Sequence, residues 1–295
     1  MIPSSRAFLQ NLCMLGLLFV AGVVLVSCGP SSNTADQGPP YERAKNAFKS
    51  GKLTRALDLT ETLAATTPPA DATERAQVLR AVIFAGQLKS SLELSDAYAK
   101  GADKSKDSAD HEVAYRRLQN DNLEIAEKAA MGLAQTSLQI APGGVIAKEL
   151  TLEASFPTTE GPTEIKDMAA LEKGEWLEPA KIDSMAVDAL NKGIDDALAE
   201  AVGGDRAKAQ QALAGGSTKL DGAAFAIFLA KGLTDGAVVF DLHHGVNAQR
   251  LNIMCDQGEA SLKAALALLK DTPNKDEDKE IKKLQDKFKT LRKGT

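Results

Sequence analysis

Gly51-Lys52-Leu53-Thr54-Arg55-Ala56-Leu57-Asp58-Leu59-Thr60-Glu61-Thr62-Leu63-Ala64 lines up without a gap against Gly86-Gln87-Leu88-Lys89-Ser90-Ser91-Leu92-Glu93-Leu94-Ser95-Asp96-Ala97-Tyr98-Ala99, thirty-five residues further on. Five of these positions are identical, and three more exchange Asp for Glu or Thr for Ser. Another step of thirty-five reaches Asp121-Asn122-Leu123-Glu124-Ile125-Ala126 and runs on to Leu133-Ala134. Leu53, Leu88 and Leu123 form one column, Ala56, Ser91 and Ala126 a second, and Ala64, Ala99 and Ala134 a third; upstream, Ala44, Leu79 and Ala114 fall into step. A period of about 20–50 residues marks stacked repeats. A helical hairpin cannot bury both of its faces alone, so small columns of Ala let neighbouring hairpins stack and share a core. The spacing predicts three helix pairs over residues 41–138, with Gly51 and its column at the turns.

This region resembles a tetratricopeptide (TPR) array. In the first unit Ala44, Gly51, Ala56 and Pro68 stand where that family favours a small residue, a turn glycine, an alanine and a closing proline. Pro40 falls where a Trp is usual and Thr60 where Phe is preferred, and units two and three carry Asp103 and Leu138 in place of the closing proline. The resemblance implies that the first helix of each pair lines a concave groove. The inward residues would be Lys45 and Lys49, Arg80 and Phe84, and His111, Tyr115 and Gln119. Such a mixed basic and aromatic groove suits an acidic or C-terminal carboxylate segment of a protein or peptide partner.

Outside the repeats the composition is also helical. Aromatic residues make up 4% of the chain, Ala and Leu are plentiful, and these two are among the best helix formers. Residues 139–182 break the rhythm with Pro142-Gly143-Gly144, Phe156-Pro157-Thr158-Thr159, Glu160-Gly161-Pro162 and Glu178-Pro179, all turn or breaker clusters. Within them Val145 to Phe156 fits either a helix turn or a short extended piece, and the single Trp, Trp176, reads as an anchor pinning the segment onto the helices. Over residues 183–295 helices return. Val187, Leu190, Ile194 and Leu198 make an amphipathic stripe, Gly203-Gly204-Asp205 a stop and restart, and residues 221–233 an apolar, central helix. Ile281, Leu284, Phe288 and Leu291 share a face of the last helix, whose acidic start (Asp276-Glu277-Asp278) and basic end (Arg292-Lys293) suit the helix dipole. The expected fold class is all-α: stacked TPR-like hairpins followed by a second helical bundle region.

The N-terminus supplies an address. After a short polar start bearing Arg6, an apolar run extends from Leu12 to Val26, the pattern of a secretory signal peptide and shorter than the ~20 residues of a spanning helix. Its end, Leu25-Val26-Ser27-Cys28, resembles the lipobox of bacterial lipoproteins. That resemblance implies removal of residues 1–27 and a lipid-modified Cys28, such as by palmitate, as the membrane anchor. Residues 28–40, rich in Gly, Ser and Pro, read as a flexible tether. Gly29 rather than Asp after the cysteine implies an outer-membrane lipoprotein facing the periplasm.

The net charge of −5 becomes one unit more negative when Arg6 leaves, and it argues against nucleic acid, which calls for a basic face. Cys13 leaves with the leader and Cys28 is lipidated, so Cys255 stands alone; Leu251-Asn252-Ile253-Met254-Cys255 reads as buried, and no disulfide is expected. His243-His244 cannot both ligate a metal from an unbroken helix, since adjacent residues diverge by about 100°. His244 and Cys255 would lie ~16 Å apart along such a helix. No phosphate loop or nucleophile elbow occurs. The expectation is therefore no catalytic site, no cofactor and no metal. The leading reading is an interaction or scaffold module of the envelope. A structural subunit is the second: the opening repeat is similar to that of lipoproteins in outer-membrane or pilus assembly complexes. A transporter-associated lipoprotein, binding a small molecule beside the 221–233 helix, is the third.

Overall fold

The computed structural model describes residues 38–65, 70–105, 108–156, 161–242, 247–270 and 273–293. The leader, Cys28 and most of the tether, together with Pro68, His243 and His244, lie outside the described residues. Those from Gly38 onward belong to one compact unit and are all-α apart from one short strand pair.

A tight helical hairpin comes first: α1 (Pro40–Lys49) and α2 (Leu53–Ala65). Pro40 occupies the first helical turn, where its missing N–H costs nothing. Between the helices Gly51 sits at φ +71°, a left-handed conformation that glycine adopts without strain. This is the first expected helix pair.

The second and third units depart from the expectation. Each is a single unbroken helix rather than a hairpin: α3 (Ala70–Lys104) of 35 residues and α4 (Ala109–Ile140) of 32. They are packed together along most of their length. Phe84 lies against Gly132, and Tyr115 against Gly101, so the two helices run antiparallel. The turn expected at Gly86 does not exist, and a TPR stack of three hairpins is not formed. One glycine inside a helix costs only about 1 kcal/mol relative to alanine, and Gly86 is used for packing. It crosses Gly193 of α6 (Pro179–Ala201) so closely that a Cβ on Gly193 would lie 2.4 Å from the Gly86 carbonyl oxygen.

Beyond α4 a 3₁₀ turn at Pro142–Gly144 leads into strand β1 (Glu149–Leu152), the extended alternative for Val145 to Phe156. β1 pairs antiparallel with β2 (Thr218–Asp221), with Leu150 opposite Leu220 and both buried. Glu153, just past β1, holds the first hairpin and α3 together: it accepts from Lys45 Nζ (3.2 Å) and from Arg75 Nη1 (2.6 Å). The short helix α5 (Met168–Glu172) packs on α3. The N-cap of α7 (Arg206–Leu213) is Asp205, whose carboxylate accepts from the Lys208 N–H at 2.9 Å, as the Gly203-Gly204-Asp205 restart predicts. The remaining helices are α8 (Gly222–Leu242), α9 (Ala248–Leu269) and α10 (Lys275–Lys293).

The C-terminal helices build no second core of their own. Ala44 and Phe48 of α1, Leu79 and Leu88 of α3, Leu133 of α4, Phe225 and Leu229 of α8 and Phe288 of α10 belong to one continuous apolar cluster. A smaller one gathers Tyr98, Tyr115, Leu171, Leu177 and Met185 at the far end of the α3–α4 pair. Of the stripe on α6, Ile194 and Leu198 are buried but Val187 is 57% exposed, because the N-terminal half of the helix buries Ile182, Met185 and Ala189 in the smaller cluster instead. On α10 the whole expected face is buried. By length and hydropathy alone, α8 is the one helix among the described residues able to cross a membrane; 72% of that stretch is buried inside the fold.

Gly193→Ala should destabilise the protein by about 1–3 kcal/mol, the range for overpacking a tight contact, because backbone stands on the other side. Gly215→Ala, where a Cβ would meet nothing within 4 Å, should stay within about 0.5 kcal/mol. Urea unfolding of both variants checks the contrast.

Candidate functional site

The seven residues assigned to one groove occupy three places. Lys45, on α1, is engaged by Glu42 at 3.0 Å and by Glu153, with its ammonium 5.7 Å from the Tyr41 ring centre; Lys49 is exposed one turn on. This end of the proposed groove is an inter-element clasp. At the other end His111 stacks on Trp176, ring centres 4.5 Å apart and planes 17° apart, and Tyr115 lies 5.7 Å from the same indole. Tyr115 is buried. Its hydroxyl donates to the Glu175 carbonyl (2.5 Å) and accepts the Leu177 N–H (3.1 Å). Burial raises the Tyr115 pKa, against the pull of that N–H. Gln119 accepts from Arg116, which also pairs with Asp103. His111 and Tyr115 therefore hold the irregular segment in place, and Trp176 is its anchor as expected. A stack of hairpins would be needed to bring all seven residues to one concave face, and two unbroken helices do not make one.

Arg80 and Phe84, one turn apart on α3, do share a recess. They line an open cleft of about 840 Å3 between α2, α3, α4 and α9. The floor is apolar: Phe84, Met131 and Ile253. Phe84 lies so close to Gly132 of α4 that a Cβ there would stand 2.5 Å from its ring, so the glycine gives the ring its seat. Leu138, at the mouth, is 51% exposed. Around the rim Glu124 pairs with Lys128 (2.7 Å) and Glu127 with Arg250 (3.0 Å), and Gln135 and Gln257 add amide groups.

Arg80 is different from these rim charges. It is 6% exposed and makes no hydrogen bond or ion pair with any described residue. Its buried Nε lacks a hydrogen-bond partner. The guanidinium lies 5.6 Å from the Phe84 ring centre, a cation–π distance. Burial pulls its pKa down, while the Glu61 carboxylate, beyond ion-pair distance on α2, pushes it up. Taking an ion out of water without a partner costs on the order of several kcal/mol. An aromatic face at an exposed site returns about 0.5–1 kcal/mol of that, rising to about 2 when desolvated.

Two other positions bear on chemistry. Cys255 is buried and free, and burial pushes its thiol up to about 11, Arg292 pulling the other way; it sits in the core as the sequence suggests. Asp195, also buried, accepts from the Gly161 N–H (2.7 Å) and from Arg206, so it ties the irregular segment to α6 and α7. Among the described residues no three His, Cys, Asp or Glu side chains converge as metal ligands. The far wall of the cleft, Arg250, Ile253 and Gln257, comes from α9, over a hundred residues from α4 in sequence. No local pattern in the sequence announces it. Compared with family models, curated proteins and solved structures, the chain matches none.

Tyr115→Phe removes one group that serves two backbone partners and should cost about 1–3 kcal/mol. Trp176 is the only tryptophan, so its acrylamide quenching should rise in this variant and report the loosened segment directly.

Proposed function

We propose that this protein is a lipid-anchored envelope lipoprotein that works as a binding module for a protein or peptide partner rather than as an enzyme. The observation that carries the binding half is the α2–α3–α4–α9 cleft. Its volume falls in the range of about 300–1,000 Å3 typical of ligand sites, and it combines an apolar floor with a few polar groups. Its rim carboxylates Glu124 and Glu127 are engaged by cations, an arrangement suited to a rim rather than to proton transfer.

The address half rests on Leu25-Val26-Ser27-Cys28 and its resemblance to a lipobox. Acyl chains on Cys28 would hold the protein at the periplasmic face of the outer membrane, two or more chains being needed for stable anchoring. Residues 28–40 would then give the cleft a short reach above the bilayer. A tethered binding module needs only one such surface, and its affinity gains from confinement of both partners to the same membrane.

Mass spectrometry of the N-terminal peptide should find Cys28 first and acylated; an unmodified thiol or another first residue would remove the anchor. A photo-crosslinking side chain at Leu138 should give a discrete adduct in intact cells, whereas one at exposed Val187, outside the cleft, should not. The same adducts from both positions, or none from Leu138, would remove the cleft as the binding surface.

A further inference from the structure

We infer that the cleft recognises the C-terminal end of a polypeptide: Arg80 takes the free α-carboxylate, and the Phe84 floor takes the apolar side chain of the last residue. This rests on the cleft being the binding surface. It begins from a cost that contacts among the described residues leave uncompensated at Arg80. Glu124 and Glu127 at the rim are paired, but Arg80 is 6% exposed, its buried Nε has no partner, and no anion among the described residues is in contact with it. A carboxylate entering the cleft would supply the missing partner through charge-assisted, potentially bidentate hydrogen bonds.

The geometry narrows the source of that carboxylate. Guanidinium and ring centre are 5.6 Å apart, so charge and apolar surface must reach the site on one small unit. A C-terminal residue bears both on a single carbon. Glu61, Glu124 and Glu127 at the same cleft repel a segment rich in acidic side chains and tolerate a single negative charge. The apolar floor is short and is framed by Gln135, Gln257 and the two ion pairs. That frame suits the amides of a peptide backbone better than a long acyl chain.

The full-length protein, purified from cells and held in lipid nanodiscs, is titrated with a fluorescent pentapeptide of alanine and leucine ending in a free leucine carboxylate. The same peptide with an amidated end, and octanoate, serve as comparisons. The free acid should bind at least about tenfold more tightly than the amide, the equivalent of one charge-assisted contact, and more tightly than octanoate. Arg80→Met should abolish the preference. Without peptide it should raise the unfolding temperature by about 2–4 °C, because a buried unpaired charge is gone. Leu138→Glu, at the exposed mouth, should weaken both peptides without lowering stability. Equal binding of acid and amide, tighter binding of octanoate, or no binding at all would overturn the inference. So would a fall in stability of Arg80→Met, which would make Arg80 a structural group. If the Leu138 crosslink in cells persists through any of these outcomes, the cleft remains a binding surface and only its proposed specificity falls.

Discussion

Close approach of two long antiparallel helices is the constraint on which the molecule depends. Helices α3 and α4 come close where Gly132 seats Phe84 and Gly101 meets Tyr115, and buried alanines such as Ala81, Ala126 and Ala129 stand among larger core residues such as Leu79, Ile83 and Leu133. The pairing gains stability through dispersion over many atoms at close range. Everything else is laid against this pair. Helix α6 crosses α3 at Gly86 and Gly193, α8 lies against α4, and α9 and α10 cover α8. Tyr98, Tyr115, Phe48, Phe225, Phe240 and Phe288 are fully buried, and Gly101, Gly132 and Gly258 leave room for rings to pack against backbone. A core of this kind tolerates enlargement poorly.

The same geometry creates the cleft. Where α2 and α9 flank the pair, their side chains do not close over Phe84, and the ring is left lying on Gly132. Arg80 is placed one turn before it, inside the margin of the core. Proteins keep strained or destabilised groups where function needs them and stabilise the fold elsewhere. A buried cation beside an open apolar recess has that character, whereas Lys45 with Glu153 and Arg206 with Asp195 are compensated and hold elements together.

Much of the fold was legible in residue pattern, and the part that was not has a definite cause. Two of the thirty-five-residue columns mark equivalent burial: Leu53, Leu88 and Leu123 are all buried, as are Ala56, Ser91 and Ala126, whereas Ala99 and Ala114 in the other two are only half-buried. What periodicity could not convey is whether each unit folds back on itself. At Ser50-Gly51-Lys52 the glycine takes positive φ and the chain turns. At Gly86-Gln87 the same alignment column remains helical, because Gly193 lies opposite, and at Asp121-Asn122 there is no breaker. The stop at Gly203-Gly204-Asp205, the buried face of α10 and the anchoring role of Trp176 were readable because each depends on near neighbours in sequence. The β1–β2 pair and the α9 wall of the cleft depend on residues far apart along the chain. Of the seven groove candidates, Arg80 and Phe84 line one cleft, one helical turn being a local relation. The other five lie elsewhere because units two and three are single helices rather than hairpins.

Amide hydrogen exchange of the full-length protein tests this account most directly. Protection should run without interruption through Gly86-Gln87-Leu88 and through Asn120-Asp121-Asn122, with rapid exchange at the Gly51 turn. Rapid exchange at Gly86-Gln87 and Asp121-Asn122 matching that at Gly51 would mean that the units are hairpins, and the paired-helix spine with its cleft would not exist.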